Sequence, residues 1–332
     1  MILFAADVGG TNTRLCLAEY EGNDKTILYE KDYASGQFND FYEIVNLFLT
    51  DSNFISTIDA ACIAAAGPVK HSEASITNLP WVISETSLKN IFKTEYVKLI
   101  NDFSAVAYGV SELNNDEVDV IQQGKLSGKE FPSAVIVGAG TGLGVSHRVY
   151  IDNHYQVLTS EAGHTAFSPQ NKLQTQLLHY LQEEKSYVSL EDILSGRGFL
   201  VIYNFFKNEL SLKESGVVKN LLLQQDPAKV ITQAALDETD ELCVRTVDLF
   251  VSIYGAAVGN AALYYYPVDE VYIAGGIAPK IKCYIQSEAF VSSLTEKGLM
   301  SDNMKSLSVK LIKQDKVGLL GALAYARDLL ER

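Results

Sequence analysis

The residues best placed to do chemistry stand near the start of the chain. Asp7-Val8-Gly9-Gly10-Thr11-Asn12-Thr13-Arg14 lies between two apolar runs, Met1–Ala5 and Leu15–Ala18, which read as strands joined by a tight Gly-Gly-Thr-Asn turn. Glycines without Cβ let the backbone approach a ligand closely, and their N–H groups converge on an anion. Thr11 and Thr13 add hydroxyl donors, and Asp7 puts a carboxylate where a hydrated Mg²⁺ would sit. One reading is a phosphate-holding hairpin with a metal partner. An ordinary β-hairpin whose glycines serve only the turn is the other, and residues 1–18 leave both open.

The same element recurs later in the chain. Ala134–Val137, then Gly138-Ala139-Gly140-Thr141-Gly142-Leu143-Gly144, then Val145–Val149 repeat the strand–loop–strand order about 130 residues on. Two α/β domains that each begin with a Gly/Thr hairpin would bring one hairpin to each side of a nucleotide's phosphates.

The elements around these loops follow from hydrophobic spacing. Ile27–Tyr33 reads as a third strand. Asn39 reads as the N-cap of a helix with Phe41, Ile44, Val45 and Phe48 on one face. Ile58–Ala66 is a continuous apolar run ending at Gly67-Pro68, the pattern of a strand buried on both faces. A looser segment, Ser75–Trp81, precedes a short helix near Ser87–Lys93. Val97–Ile100 is a strand with Asn101-Asp102 at its end, and the next helix carries Val106, Ala107, Val110 and Leu113 on one face. In the second half, helices are expected at Leu173–Glu184, Leu190–Leu194, Phe199–Leu210 and Leu242–Tyr265. Strands are expected at Val271–Ile273 and Ser308–Ile312, and a last helix at Gly318–Leu330. No low-complexity stretch or charge block interrupts this order.

Composition narrows the partners. The chain has 332 residues, long enough for two domains. Its 27 Lys and Arg against 41 Asp and Glu give a net charge of −14, a field that repels nucleic acid and anionic membranes, so a phosphate ligand needs a local site. Cys16, Cys62, Cys243 and Cys283 are far apart in largely apolar runs, the pattern of small buried residues in a reducing compartment. The N-terminus reads as having no signal peptide. Leu249–Tyr266 is 18 residues without a charge, but its serine, glycines, asparagine and tyrosines fit a buried core helix better than a membrane span. The expectation is a soluble cytoplasmic protein.

Several mechanisms drop out for want of their motifs. No G-x-x-x-x-G-K-[ST] is present, and the 138–144 loop has Leu143 where a dinucleotide fingerprint needs glycine. No H-E-x-x-H or Cys/His cluster suggests zinc.

Taken together, Asp7–Asn12, the second glycine loop and Ala274-Gly275-Gly276-Ile277 resemble the bacterial glucokinases of the sugar kinase/actin/Hsp70 superfamily. The resemblance extends to Leu99–Phe103, Ser160–His164, Leu194-Ser195-Gly196 and Gly318–Gly321. A single motif would be weak. These occur in the family's order from residue 6 to residue 321 and cover nearly the whole chain.

The resemblance implies two actin-like (ribonuclease H-like) α/β domains with ATP-Mg²⁺ and a hexose in the interdomain cleft. The last helix would return to the first domain, giving a small domain of 1–110 plus 316–332 and a large one of 111–315. It further implies ATP-dependent phosphorylation of glucose to glucose 6-phosphate, the entry step of glycolysis, and a homodimer. The absence of a Cys-rich zinc motif and of a helix-turn-helix before Asp7 is unlike the related repressor-kinase group. A kinase for another hexose, one with another donor such as polyphosphate, and a non-catalytic sugar-sensing protein on the same scaffold are the alternatives.

Residue by residue, Asp102 matches the general base that orients the sugar hydroxyl and accepts its proton. Read from its position alone, Asn101-Asp102 simply caps a helix. Asn78, Asn101, Glu161, His164 and Glu191 match sugar contacts. Glu191, after Ser189, equally suits the first turn of a helix with no ligand. His71, His147, His154 and His179 read as ordinary surface or core histidines. Asp7, Gly9, Gly10, Thr11 and Asn12 match one phosphate hairpin, and Gly138, Gly140, Thr141 and Gly142 the other. Gly275 and Gly276 match the adenosine-side turn. Kinase Mg²⁺ is held largely by water and substrate phosphates, so no residue is assigned as a direct metal ligand. Ala162 stands where the family usually has Gly, Ala166 where an acid is frequent, and Arg197 where Pro is often seen. These departures bear on sugar identity and affinity.

Overall fold

The computed structural model describes residues 1–22, 24–125 and 128–331. The chain divides into two compact units: Met1–Asn115, Arg148–Thr159 and Gln314–Arg332 form the first, Asp116–His147 and Ser160–Lys313 the second.

The first unit is built on a five-stranded sheet. Its strands are β1 (Ile2–Val8), β2 (Asn12–Glu21), β3 (Asp24–Ala34), β4 (Ala60–Ala65) and, after a small separate sheet of β5 (Val69–Lys70), β6 (Glu73–Ser75) and β7 (Val82–Ser84), β8 (Val97–Asn101). Their order is β3-β2-β1-β4-β8. The first three form an antiparallel meander, and β1, β4 and β8 run parallel. Every residue of β4 is buried, as a run apolar on both faces demands. Alternate residues of β1 serve different cores, because side chains alternate across a sheet. Phe4, Ala6 and Val8 pack with Phe41, Ile44, Val45 and Phe48 of the helix Phe41–Asp51. Leu3 and Ala5 pack with Leu319, Ala322 and Leu323 of the helix Val317–Glu331. That last helix crosses the helix Asp102–Gly109 closely: a Cβ on Gly321 would lie 1.7 Å from the Ala105 carbonyl oxygen.

A six-stranded sheet comprises β9 (Val118–Gln122), β10 (Ala134–Ala139), β11 (Leu143–Ile151), β12 (His154–Ser160), β13 (Glu270–Ala274) and β14 (Ser308–Ile312), in the order β12-β11-β10-β13-β14-β9. Strands β9, β10, β13, β14 and the start of β11 belong to the second unit, whereas Arg148–Thr159 is counted with the first. Again the central strands, β10, β13 and β14, are parallel. The helix Glu241–Tyr264 is long and apolar enough to cross a membrane by composition, yet 78% of its apolar window is buried inside the protein. Its glycines serve close packing. A Cβ on Gly255 would sit 2.3 Å from the Phe290 carbonyl oxygen, and one on Gly259 2.2 Å from that of Leu294, both on the neighbouring helix Glu288–Thr295.

Local departures from the sequence reading have local causes. The N-cap of Phe41–Asp51 is Asp40, not Asn39: the Asp40 carboxylate accepts from the Glu43 N–H at 2.9 Å, while Asn39 donates to the Glu43 side chain. Cys16, Cys62 and Cys243 are buried, but Cys283 is exposed. The segment around Ser75–Trp81 joins β6 and β7 of the small sheet.

Candidate active site

In the first unit the candidate residues gather at the carboxyl ends of the parallel strands. Asp7 is next to last in β1, paired with Ala64 of β4 on one side and with Arg14 of β2 on the other. The turn that follows is closed by the Gly9 N–H donating to the Asn12 carbonyl at 2.9 Å. Ser35 supports it from behind, its Oγ donating to the Gly9 carbonyl at 2.8 Å and meeting Thr13 Oγ1 at 3.0 Å. Gly10 abuts the Thr77-Asn78 segment: a Cβ there would lie 2.8 Å from the Thr77 carbonyl and 3.7 Å from the Asn78 Cβ. Asn78 has a left-handed backbone, φ +66°, which asparagine tolerates better than most residues.

Asn101 ends β8 and caps the next helix, its Oδ1 accepting from the Phe103 N–H at 3.0 Å and its Nδ2 donating to the Gly67 carbonyl at 3.4 Å. Asp102 opens that helix, and its Oδ1 also accepts from Phe103 N–H, at 2.8 Å. Capping is thus real, and it fixes the side chains in place. Burial raises the Asp102 carboxyl above its ordinary range, against the lowering effect of the Phe103 N–H and Asn101. Asp7 is pushed up to about 6, first by burial and then by the Asp102 charge, with Arg14 pulling the other way.

Two neighbours of Asp7 escaped the sequence reading. Arg14 is fixed by Asp315, donating at 2.7 Å to both its carbonyl and its carboxylate. Gly318 belongs to a recognised motif, but its part is steric: a Cβ there would lie 3.0 Å from Asp7 Oδ2.

In the second unit the glycine turn is tighter than its sequence suggested, because Ala139 belongs to β10 and Leu143 to β11. The Gly140 N–H donates to the Gly142 carbonyl at 2.8 Å. Three segments hold this turn. Gly275, at φ +84°, lies so close to Ala139 that a Cβ would approach its carbonyl oxygen to 2.4 Å. Gly196, at the start of the helix Gly196–Asn208, donates its N–H to the Gly140 carbonyl at 2.9 Å. Glu191 accepts from the Leu143 N–H at 3.0 Å through Oε2. Gly140 and Gly276, by contrast, have open faces, with free space where a side-chain methyl group would sit.

Glu161 precedes and His164 ends a short 3₁₀ turn, Ala162–His164, with Glu161 Oε2 3.9 Å from His164 Nε2 and both side chains largely exposed. The buried Gly163 sets this turn against β11, where a Cβ would lie 2.2 Å from the Leu143 carbonyl. Leu143 therefore joins three parts: the glycine turn, the Glu161–His164 turn and Glu191. Glu191 does lie in the first turn of a short helix, within a Ser189–Asp192 capping box, but its carboxylate reaches the glycine turn as well. Ala162 and Ala166 line a cavity of 330 Å³ with Thr165, Asn260 and Tyr264.

Such an arrangement suits a nucleotide's phosphates. In the second unit the open-faced glycines leave room for a phosphate group, and in the first Asp7 is a half-buried acid whose ionised form calls for a cation beside it.

Two α/β units, each organised on a strand–glycine turn–strand element, are the fold of the actin-like sugar kinases. The crystal structure of a glucokinase from an Antarctic psychrotroph matches with a TM-score of 0.86 at 30% identity, covering 98% of this chain and 99% of that one. The family model described as Glucokinase matches residues 4–329. A glucokinase of Nostoc sp. and one of Trichormus variabilis are each 38% identical to the chain, covering 99% of it and 99% of their own length. The chain belongs to the glucokinase family.

Proposed function

We propose that the protein transfers the γ-phosphoryl group of ATP to the 6-hydroxyl of glucose. Asp102 is the general base, and Asn78, Asn101, Glu161, His164 and Glu191 hold the sugar. The turns Gly9–Asn12 and Gly138–Gly142 hold the phosphates, and Gly275-Gly276 passes beside the adenosine. Bound Mg²⁺ neutralises phosphate charge, and Asp7 is the carboxylate on its side. The small domain comprises 1–110 plus 316–332 and the large one 111–315, and exclusion of water from the bound sugar keeps the phosphoryl group from hydrolysis. The protein works as a cytoplasmic homodimer without nucleic acid or membrane partners.

The observation that carries this reading is Asp102. It is a carboxylate fixed at the end of β8 by the Phe103 N–H, and burial raises its pKa, which makes it a stronger proton acceptor once ionised. The hydroxyl's proton passes to this carboxylate as its oxygen attacks phosphorus, and ADP leaves in line.

A coupled assay of ADP release tests the reading across a panel of hexoses and of donors including ATP and polyphosphate. ADP release that depends on glucose, and is low without sugar, is the expected result. Absence of any glucose-dependent release overturns it.

A further inference from the structure

Arg197 stands beside the second glycine turn with little to hold it. It is the second residue of the helix Gly196–Asn208, whose first N–H is bonded to the Gly140 carbonyl at 2.9 Å. The preceding Ser195 is fully buried, and its Oγ has no hydrogen-bond partner. The Arg197 side chain is 76% exposed, and its Nη2 lies 3.7 Å from Glu191 Oε1. That pair is too long for a hydrogen bond and too exposed to fix the guanidinium firmly. The other oxygen of Glu191 is committed to the Leu143 N–H, so Glu191 stands between the glycine turn and a loosely held cation.

A guanidinium is a planar fork that matches phosphate oxygens, and it binds them better than it does one carboxylate oxygen 3.7 Å away. We propose that Arg197 is a donor-side phosphate residue whose movement couples the two substrates. When a nucleotide's phosphates lie along Gly138–Gly142, the guanidinium leaves Glu191 for them. With the cation withdrawn, Glu191 Oε1 accepts more strongly from a sugar hydroxyl. Nucleotide binding thereby strengthens sugar binding, and linkage requires the reverse to the same degree. This proposal rests on the reading of Gly138–Gly142 as the ATP phosphate loop and of Glu191 as a sugar contact.

The test compares wild type with Arg197→Ala and Arg197→Lys. In Arg197→Ala, the KM for ATP should rise about tenfold, as loss of a charge-assisted hydrogen bond predicts, with a smaller change in kcat. Inhibition by inorganic tripolyphosphate should weaken to a similar degree while inhibition by adenosine stays the same, and Lys should restore part of the loss. Glucose affinity, measured by calorimetry with and without a non-hydrolysable ATP analogue, should gain less from the analogue in Arg197→Ala than in wild type. The proposal is overturned if KM for ATP stays within twofold, if adenosine inhibition shifts as much as tripolyphosphate inhibition, or if the gain is unchanged. Wild type that fails to turn over glucose with ATP would refute the parent reading instead, and direct tripolyphosphate binding to the two proteins would still judge Arg197.

Discussion

The two glycine hairpins close with nearly the same backbone bond, 2.9 Å from Gly9 to Asn12 and 2.8 Å from Gly140 to Gly142, yet their surroundings differ in kind. Behind the first turn β1 carries a half-buried acid, Asp7, opposite Arg14 and close enough to feel the charge of Asp102. At the matching place before the second turn, next to last in β10, stands Gly138, buried and without a side chain. The second turn instead takes its support at the rim, from Glu191, Gly196 and Gly275. One scaffold thus serves two ends. A charged root suits metal and proton chemistry, whereas an apolar root with a supported rim suits binding alone.

The sharpest way to break this contrast is to remove one acid from each side. Asp102→Asn should lower kcat by 10²- to 10⁴-fold, roughly the range for a general base, with little change in either KM. Glu191→Gln should act mainly on KM for glucose, by about tenfold, since a neutral amide still meets a hydroxyl but loses the charge. Steady-state kinetics of the two variants decides the matter. Equal losses of kcat would mean that chemistry is not confined to the first unit's acids.

Much of the fold was legible because its central strands are short apolar runs ended by glycine or by a polar pair. Ala60–Ala65 and Glu270–Ala274 show this plainly. What escaped were elements without that contrast. His154–Ser160 is half-exposed and mixed in composition, and Val118–Gln122 places an acid inside a short strand at the sheet edge. Helix Gly216–Leu222 buries only Val218, so its periodicity is faint. Pro227–Leu236 buries Val230, Ile231, Ala234 and Ala235 behind an Asp226 cap and was legible in principle. In the candidate site, the two glycine turns and the strand end at Asn101 could be read from local pattern. Contacts across long sequence separation could not. Glu191 reaches Leu143 across 48 residues, and Arg14 reaches Asp315 across 301. No spacing rule reports such pairs, because packing of whole elements creates them.

The charged root should also show itself as a stability cost. With its pKa raised from 3.8 to about 6, Asp7 keeps its proton in the folded protein over a range where the unfolded chain has lost it. Folding stability from this group therefore falls as pH rises from 3.8 towards 6 and stays low above it, a loss of about 3 kcal/mol. Asp7→Asn removes the titration. In the ligand-free protein it should melt several degrees above wild type at pH 7.5 and match it near pH 4, while turnover falls on the order of a hundredfold. Thermal melts at the two pH values read the sign directly. A variant less stable than wild type at pH 7.5 would mean that Asp7 is already compensated in the free protein, and the first root would lose its distinction from the second.

The smallest effects come from adding one methyl group to each turn, and they separate the hairpins most finely. At Gly10 the new Cβ meets the Thr77 carbonyl at 2.8 Å. That oxygen belongs to backbone tied down by the Thr77 N–H bond to Ala66 at 2.9 Å, so the turn or the Asn78 segment must shift. At Gly142 the Cβ meets Glu191 Oε2 at 2.5 Å, the far end of a side chain that can swing away at the cost of its bond to Leu143. Gly10→Ala should therefore lower stability by about 1–3 kcal/mol, as crowding against fixed atoms does. Gly142→Ala should cost less stability, about 1 kcal/mol for the lost hydrogen bond, and raise KM for both ATP and glucose severalfold. Melting curves and a two-substrate kinetic grid distinguish the outcomes. If Gly142→Ala moved only the KM for ATP, Glu191 would support the turn without serving the sugar. The rim of the second hairpin would then be a purely nucleotide-side structure.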